Sequence, residues 1–595
     1  MQSYPAIHLA LHENARKDAK GHALFFADSD LRHPLSITNE DLLAEVQGLA
    51  AALLDQGLTP QDRVLLMFEP SLAYAKAFLA CLYAGLIAIP CYPPRSRMQL
   101  KQITGIIKNS GPRLVLMDAK VHSHLKKFEF LQLFTRALWI RDFICLPLRK
   151  LRDFSLALTP WFVCDDRFNA KGAADLATGN VVQDVAFLQY TSGSTGFPKG
   201  VVVSHRQLIR NIELIHQQFK MSPQSRGVIW LPPYHDMGLI GGILAPLYGG
   251  FPVFLLAPNY FLRSPLVWLR AISEFRATIS GGPNFAYDLA CKRVKPEQMK
   301  ELDLSCWELA FTGAEPIKWK TLERFHHNFK DCGFSFKAFY PCYGLAESTL
   351  FVTGKKFEQE PTALSYRVAD HDPRTVILEE SPTADSRFGK IVSCGELNDS
   401  IQVKVVDEIS GLEVSEGQIG EIWLQGESVG MGYWNQAELN QRQFGQGLPG
   451  ASGAFMRTGD LGFIHKNHLY VTGRLKDLII IDGRNIYPQD IESAVEDHVP
   501  GIRIGSTAAI SLDYGDTEKI VYLVEVYPDR ITETLQSDIR HAISRTQHVP
   551  VDEVVFLPPN TLPKTTSGKI RRSLAKDLYR KGALKPLPAH KAAST

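Results

Sequence analysis

The run Tyr190-Thr191-Ser192-Gly193-Ser194-Thr195-Gly196-Phe197-Pro198-Lys199-Gly200 gathers hydroxyls, glycines and one lysine into a short stretch. Glycine lets backbone amides approach a polyphosphate, hydroxyls add short donors, and lysine adds a mobile positive charge. The stretch reads as a triphosphate cradle. It departs from the common P-loop, because Gly200 rather than Ser or Thr follows Lys199. Three further constellations carry chemistry. Tyr340-Pro341-Cys342-Tyr343-Gly344-Leu345-Ala346-Glu347 offers an aromatic face for a nucleobase and, four residues on, a carboxylate for a hard cation. Taken alone, Tyr343 also fits a core tyrosine and Glu347 a surface acid. In Arg457-Thr458-Gly459-Asp460-Leu461-Gly462, a carboxylate behind a glycine can accept hydrogen bonds from vicinal hydroxyls, or simply close an Asx turn. In Pro563-Lys564-Thr565-Thr566-Ser567-Gly568-Lys569-Ile570-Arg571-Arg572, Lys569 is either a solvated charge or a cation delivered to an anionic site.

Elements must hold these runs in place. Residues 63–68 are apolar, 71–83 helical, and 86–89 apolar again before Pro90. That strand–helix–strand unit implies a parallel sheet with a right-handed crossover. Residues 201–203, 227–231 and 252–256 are further strands, separated by helices such as 207–219. The first two-thirds therefore reads as doubly wound α/β, a class that binds ligands at the carboxyl ends of its strands. Strands at 401–406 and 420–425 mark a β-rich stretch. Beyond Gly473-Arg474, strands 478–481 and 519–526 with helix 488–498 give an α+β tail. The expected division is 1–474, with a β-rich subdomain over about 395–474, and 475–595. Residues 121–165 read as a solvated amphipathic surface, and those after Ala583 as a frayed end.

Composition narrows the class. At 595 residues the chain needs more than one core, and 45% hydrophobic with 22% charged residues is ordinary for a soluble enzyme. A net charge of +2 gives no argument for nucleic acid or an anionic membrane. Nine cysteines without a C-x-x-C pair argue against structural zinc and a disulfide framework, and point to the reduced cytoplasm. The N-terminus lacks a secretory apolar core. Residues 237–262 carry no formal charge, but Gly238, Gly241, Gly242, Pro246, Gly249, Gly250, Pro252 and Pro258 interrupt them, so they read as core and pocket lining, not as a stable membrane insertion.

The run 190–200 resembles the phosphate-binding signature of the adenylate-forming superfamily: acyl-CoA synthetases, peptide-synthetase adenylation domains, luciferases and fatty acyl-AMP ligases. The resemblance implies an α/β fold with a large N-terminal domain of doubly wound mixed sheets, a β-rich subdomain, and a small mobile α+β C-terminal domain. It implies ATP and Mg²⁺. Thr191, Ser192, Gly193, Ser194, Thr195, Gly196 and Lys199 would hold the polyphosphate. Gly313, Ala314 and Glu315, in the turn 311–316, would border the adenine on which Tyr343 beside Gly344 stacks. Glu347 and Thr191 would ligate Mg²⁺, Asp460 would hold the ribose hydroxyls, and Arg474 would be its companion. Lys476 falls at the hinge and Lys569 on the catalytic position. His235, in Pro232-Pro233-Tyr234-His235-Asp236, would gate the carboxylate tunnel without moving protons.

Three stretches resemble fatty acyl-AMP ligases in particular: Gly483-Arg484-Asn485-Ile486-Tyr487-Pro488-Gln489-Asp490-Ile491-Glu492, residues 280–294 (SGGPNFAYDLACKRV), and the long connection 350–392. The resemblance implies that this insertion restrains domain rotation and disfavours CoA. The expected activity is ATP-dependent conversion of a fatty acid to its acyl-adenylate with release of pyrophosphate. Acyl transfer to the phosphopantetheine thiol of an acyl carrier protein follows. The alternatives are an acyl-CoA synthetase, an amino acid adenylator that uses Asp288 to bind an ammonium, and a catalytically silent nucleotide-binding regulator.

Overall fold

The computed structural model describes residues 3–95, 97–126, 160–164, 185–191, 198–369, 372–379, 389–481, 484–503, 505–513, 518–547, 549–564 and 569–587. Two sheets dominate the first half. One has six strands, in the order Trp161–Val163, Leu114–Met117, Arg63–Met67, Ile87–Cys91, Val185–Thr191 and Lys199–Ser204. It is parallel except for the last pair. The other has eight strands, with the parallel strands Phe339–Gly344, Leu309–Thr312, Ile279–Gly281, Gly227–Ile229, Val253–Leu256 and His22–Ala27 between antiparallel edges. The helix Leu72–Tyr83 packs on strands of both sheets and is buried on every face. Its sequence is apolar on every face except at Lys76, which pairs with Glu45 at 2.6 Å, as suits a helix between two layers, and Ser71 caps it by accepting the Tyr74 N–H.

The sheets are mixed because each gains an antiparallel edge. The strand expected to stop before Pro90 runs through it to Cys91, where Pro90 lies level with Leu66. On the other side the ladder is registered only at Ala88–Phe187. The donor that proline lacks is therefore not needed there.

Residues 237–262 fold as core and cleft wall. Asp236 accepts the Met237 N–H at 2.8 Å and opens a π-helical turn, Met237–Leu244. A side chain on Gly238 would lie 2.2 Å from the Pro232 carbonyl oxygen, so only glycine fits. Among the described residues no helix is long and apolar enough to cross a membrane.

The β-rich part is an antiparallel meander of Ile401–Val406, Gly420–Gly426, Met456–His465 and His468–Arg474. Beside it the connection after Leu350 forms a three-stranded sheet, Asp372–Glu379, Ala363–Ala369 and Gly389–Val392. Its Leu364, Tyr366 and Val368 pack with Phe463 and Tyr470, and with Leu475, Leu478 and Tyr487 further along the chain.

The last segment has its own sheet, Thr507–Asp513, Glu518–Glu525 and Glu553–Leu557. Strand alternation sends Ile520, Tyr522 and Val524 to one face, against helices Pro488–His498 and Leu535–Gln547. Val521 and Leu523 go to the other, against helix Arg572–Arg580. The chain does not fray directly after Ala583. Leu584 is buried in that second cluster, and the Leu587 N–H donates to the Phe556 carbonyl at 2.8 Å.

Candidate active site

A cleft of about 2140 Å³ lies where the carboxyl ends of the eight-stranded sheet face the meander and the C-terminal segment. At one end Tyr343 closes strand Phe339–Gly344, and its hydroxyl donates to Asp460 Oδ2 at 2.8 Å. Asp460 Oδ1 faces Arg474 Nε at 2.8 Å. The register of the meander sets this pair, because Asp460 and Arg474 are directly opposed across two antiparallel strands. The Asp460 charge, acting against burial, raises the Arg474 pKa. Next to Tyr343, a side chain on Gly344 would lie 1.9 Å from the Leu350 carbonyl oxygen. Ala314 takes φ +67°, a left-handed conformation costly for a residue with a side chain. Glu315 turns back to accept the Phe285 N–H at 2.8 Å, and burial raises its pKa.

Glu347 Oε1 accepts the Tyr433 hydroxyl at 2.7 Å, and Lys199 Nζ stands 5.0 Å from the centre of the Tyr433 ring. Burial lowers the Lys199 pKa, opposed by the Glu347 charge. Thr191 ends strand Val185–Thr191, level with Lys199 on its antiparallel neighbour. One carboxylate with one hydroxyl fits Mg²⁺, which binds few protein groups and takes its other ligands from water and phosphate. Among the described residues no cluster of three or more His, Cys, Asp or Glu could hold a metal alone.

Lys569 enters this cleft from the C-terminal segment. Burial lowers its pKa most, then Arg474, while Asp236, Glu315 and Asp460 oppose the shift. It lines the cleft together with these four side chains, which come from separate stretches of the chain. His235 lines the same place, and burial, followed by the Lys569 charge, pushes its pKa down to about 4. It is therefore neutral near pH 7. Lys476 is lowered by burial and then by Arg474, with Lys199 adding to the effect. Lys199, Arg474, Lys476 and Lys569 thus converge on one partly desolvated space. Such crowding is tolerable where a polyanion binds.

Part of the cleft lining is apolar. Trp230, Met237, Leu262, Ile279, Phe285 and Leu289 line it. Trp230 stacks on Phe261 at 3.9 Å and meets the edge of Phe285 at 5.9 Å. Asp288 already has a hydroxyl and a cation beside its carboxylate. It accepts the Thr321 hydroxyl at 3.0 Å and pairs with Arg324 at 3.4 Å.

The structure brings Thr191, Lys199, His235, Gly313, Ala314, Glu315, Tyr343, Gly344, Glu347, Asp460, Arg474 and Lys569 to one cleft. Ser192, Gly193, Ser194, Thr195 and Gly196 lie outside the described residues, as do Gly483, Thr565 to Gly568 and most of 121–165. Sequence reading missed Tyr433, Asp236 and two ion pairs across the cleft. Lys318 Nζ meets Glu496 at 2.9 Å, and Lys320 Nζ meets Asp497 at 2.8 Å. Asp236 was signalled only by its place beside His235. The ion pairs carried no local signal.

Residues 11–434 match the AMP-binding enzyme family, and 476–587 match the AMP domain of Disco-interacting protein 2-like proteins. The chain is 35% identical to the medium-chain-fatty-acid–[acyl-carrier-protein] ligase TtuA of Teredinibacter turnerae, over 92% of this chain and 89% of that one. It is 33% identical to the similarly named JamA of Moorena producens, over 96% and 94%. A solved fatty acyl-adenylate ligase of Legionella pneumophila, in complex with acyl adenylate and pyrophosphate, superposes with a TM-score of 0.72 at 36% identity, covering 98% and 97%. The large N-terminal and smaller C-terminal domains are those of the adenylate-forming fold, and the chain belongs to the AMP-binding enzyme family.

Proposed function

We propose that the protein is a fatty acyl-AMP ligase that uses ATP to make an acyl-adenylate and passes the acyl group to the phosphopantetheine thiol of an acyl carrier protein. One observation carries the reading: Lys569 lines one cleft with Arg474, Asp460, Glu315 and Asp236, and the apolar side chains of Trp230, Met237 and Phe285 line the same cleft. A carboxylate and a triphosphate repel each other. A desolvated lysine between them offsets that repulsion, and its contribution grows as charge builds on the α-phosphorus. The carboxylate oxygen bonds to that phosphorus, the bond to the β-phosphate oxygen breaks, and pyrophosphate leaves with the electron pair.

Tyr343 would stack on the adenine, Asp460 would hold the ribose hydroxyls once Tyr343 and Arg474 yield them, and Lys199 would meet the phosphates. Glu347 and Thr191 would hold Mg²⁺, which neutralises phosphate charge when bound. His235, neutral, would line the carboxylate entrance. Burying each CH₂ of the acid contributes about 0.8 kcal/mol, which favours a fatty acid against Trp230, Phe285 and the other apolar side chains of the cleft. The carrier-protein assignment draws on the names of the relatives and on the insertion sheet, whose Tyr366 and Leu364 pack with Leu475, Leu478 and Tyr487 at the junction. That packing would resist rotation of the C-terminal domain. We place the reaction in the cytoplasm, in line with the cysteine pattern. Fatty-acid-dependent exchange of labelled pyrophosphate into ATP tests the first half-reaction. The reading fails if exchange depends on amino acids instead.

A further inference from the structure

We propose that Tyr433 is a positioning residue for the nucleotide, its hydroxyl setting the Glu347 carboxylate for a divalent cation and its ring holding Lys199 for the phosphates. The inference rests on the adenylation reading above. Residues 431–434 lie as an added strand against Lys199–Ser204. The Met431 N–H donates to the Val202 carbonyl at 3.1 Å, the Val202 N–H to the Gly432 carbonyl at 2.9 Å, and the Trp434 N–H to the Gly200 carbonyl at 2.7 Å. Asn440 fixes Tyr433 itself: its Oδ1 accepts the Tyr433 N–H at 2.7 Å, and its Nδ2 donates to the Tyr433 carbonyl at 2.9 Å. The side chain is 2% exposed, and Phe444 meets its ring edge-on at 5.3 Å.

This frame brings one rigid side chain to two groups of the site. The Tyr433 hydroxyl donates to Glu347 Oε1 at 2.7 Å, and Lys199 Nζ stands 5.0 Å from the centre of the ring. Three residues earlier, the Gly430 N–H donates to the Glu347 carbonyl at 2.7 Å, so one segment holds Glu347 by backbone and by side chain. Among the described residues no other hydrogen bond reaches the Glu347 carboxylate, which leaves Oε2 for a cation. A ligating carboxylate depends on such a partner for its orientation, and losing one typically costs roughly 10–100-fold in metal affinity. Lys199 forms no ion pair among the described residues; its ammonium faces the electron-rich ring instead. A carboxylate in that place would compete with the phosphates, whereas a ring holds the cation and then yields it. The neighbours of Tyr433 do not share the role. Met431 is exposed, and Trp434 packs against the Arg63 guanidinium at 5.7 Å.

Two variants separate the two contacts: Tyr433→Phe removes the hydroxyl and keeps the ring, and Tyr433→Leu removes both. The full chain is titrated with Mn²⁺ in the presence of ATP, and bound ion is read by electron paramagnetic resonance. ATP binding without metal is measured by calorimetry in EDTA, with fatty-acid adenylation followed alongside. Tyr433→Phe is expected to weaken Mn²⁺ binding about tenfold and to leave metal-free ATP affinity within about twofold. Tyr433→Leu should lose as much Mn²⁺ affinity and, in addition, about threefold in metal-free ATP affinity. Should the leucine variant not fold, Tyr433→Met serves the same comparison. Unchanged Mn²⁺ binding in Tyr433→Phe, or equal metal-free ATP affinity in the two variants, would overturn the proposal, as would a wild type that takes up no Mn²⁺ with ATP. Absence of adenylation in the wild type would instead remove the functional reading and leave the two titrations to decide Tyr433.

Discussion

Lys569 is held where its charge is least comfortable until an anion arrives. Burial and Arg474 both lower its pKa, and three carboxylates only partly compensate. A group strained in this way does more for a transition state that gains negative charge than for the bound substrates. Lys569→Ala should therefore lower acyl-AMP formation by about 100-fold or more, while ATP affinity changes only a few-fold. Single-turnover adenylation and calorimetry check this, and a variant with intact adenylation would remove Lys569 from the chemistry. At this scale much of the site is legible in the sequence. Tyr343, Glu347, Asp460 and Lys569 sit in ordered runs whose residue types already state a chemistry. Tyr433 and Asp236 escape, since a tyrosine becomes a partner of Glu347 only once strands distant in sequence meet. Asp288 shows the converse: its contacts with Thr321 and Arg324 cannot be read from its motif.

Among the elements, helix Pro488–His498 and the stretch around helix Trp319–Phe329 meet through Lys318–Glu496 and Lys320–Asp497. Glu496 is nearly buried, so its pair is worth more than an exposed one. Lys318→Glu with Lys320→Glu should open this junction and slow adenylation several-fold. Adding Glu496→Lys and Asp497→Lys should restore part of the rate. If the fourfold variant is no faster than the double, the pairs do not set the arrangement.

The same helix carries Asp490, whose pKa burial, and then Glu492, push up to about 7, against the opposing Lys318 charge. Burial, and then the Asp490 charge, raises the pKa of Tyr366 in the insertion sheet. An acid with a raised folded pKa binds protons more tightly folded than unfolded. Its contribution therefore falls as pH rises from the ordinary carboxylate range to about 7. Asp490→Asn should raise the Tm at pH 8 relative to wild type, with the gain vanishing near pH 4. A pH-independent difference would contradict that origin. Strands and helices such as residues 401–406 and 488–498 were readable from periodicity and turn residues. The insertion sheet was not, because its apolar residues face a surface made by Phe463, Tyr470 and Tyr487, which only tertiary structure supplies.

Across the whole molecule, the strand ends of a mixed sheet supply one wall of a cleft, a β-meander supplies the Asp460–Arg474 pair, and the C-terminal segment supplies the lysine that completes it. The arrangement explains why function is spread over nearly 400 residues of sequence, from Thr191 to Lys569. It also leaves the second half-reaction to a different disposition of the C-terminal domain, since Lys569 and the acceptor thiol would compete for the same carbonyl carbon's surroundings. The insertion sheet lies against the junction and would bias that step toward an acceptor delivered by a protein. One measurement tests this account most directly. The enzyme is given ATP, Mg²⁺ and a panel of fatty acids, with CoA and a holo acyl carrier protein present as competing acceptors, and the products are identified by mass spectrometry. The account predicts acyl-AMP followed by an acylated carrier protein, with little acyl-CoA; rapid acyl-CoA formation, or no acyl-AMP from any fatty acid, would contradict it.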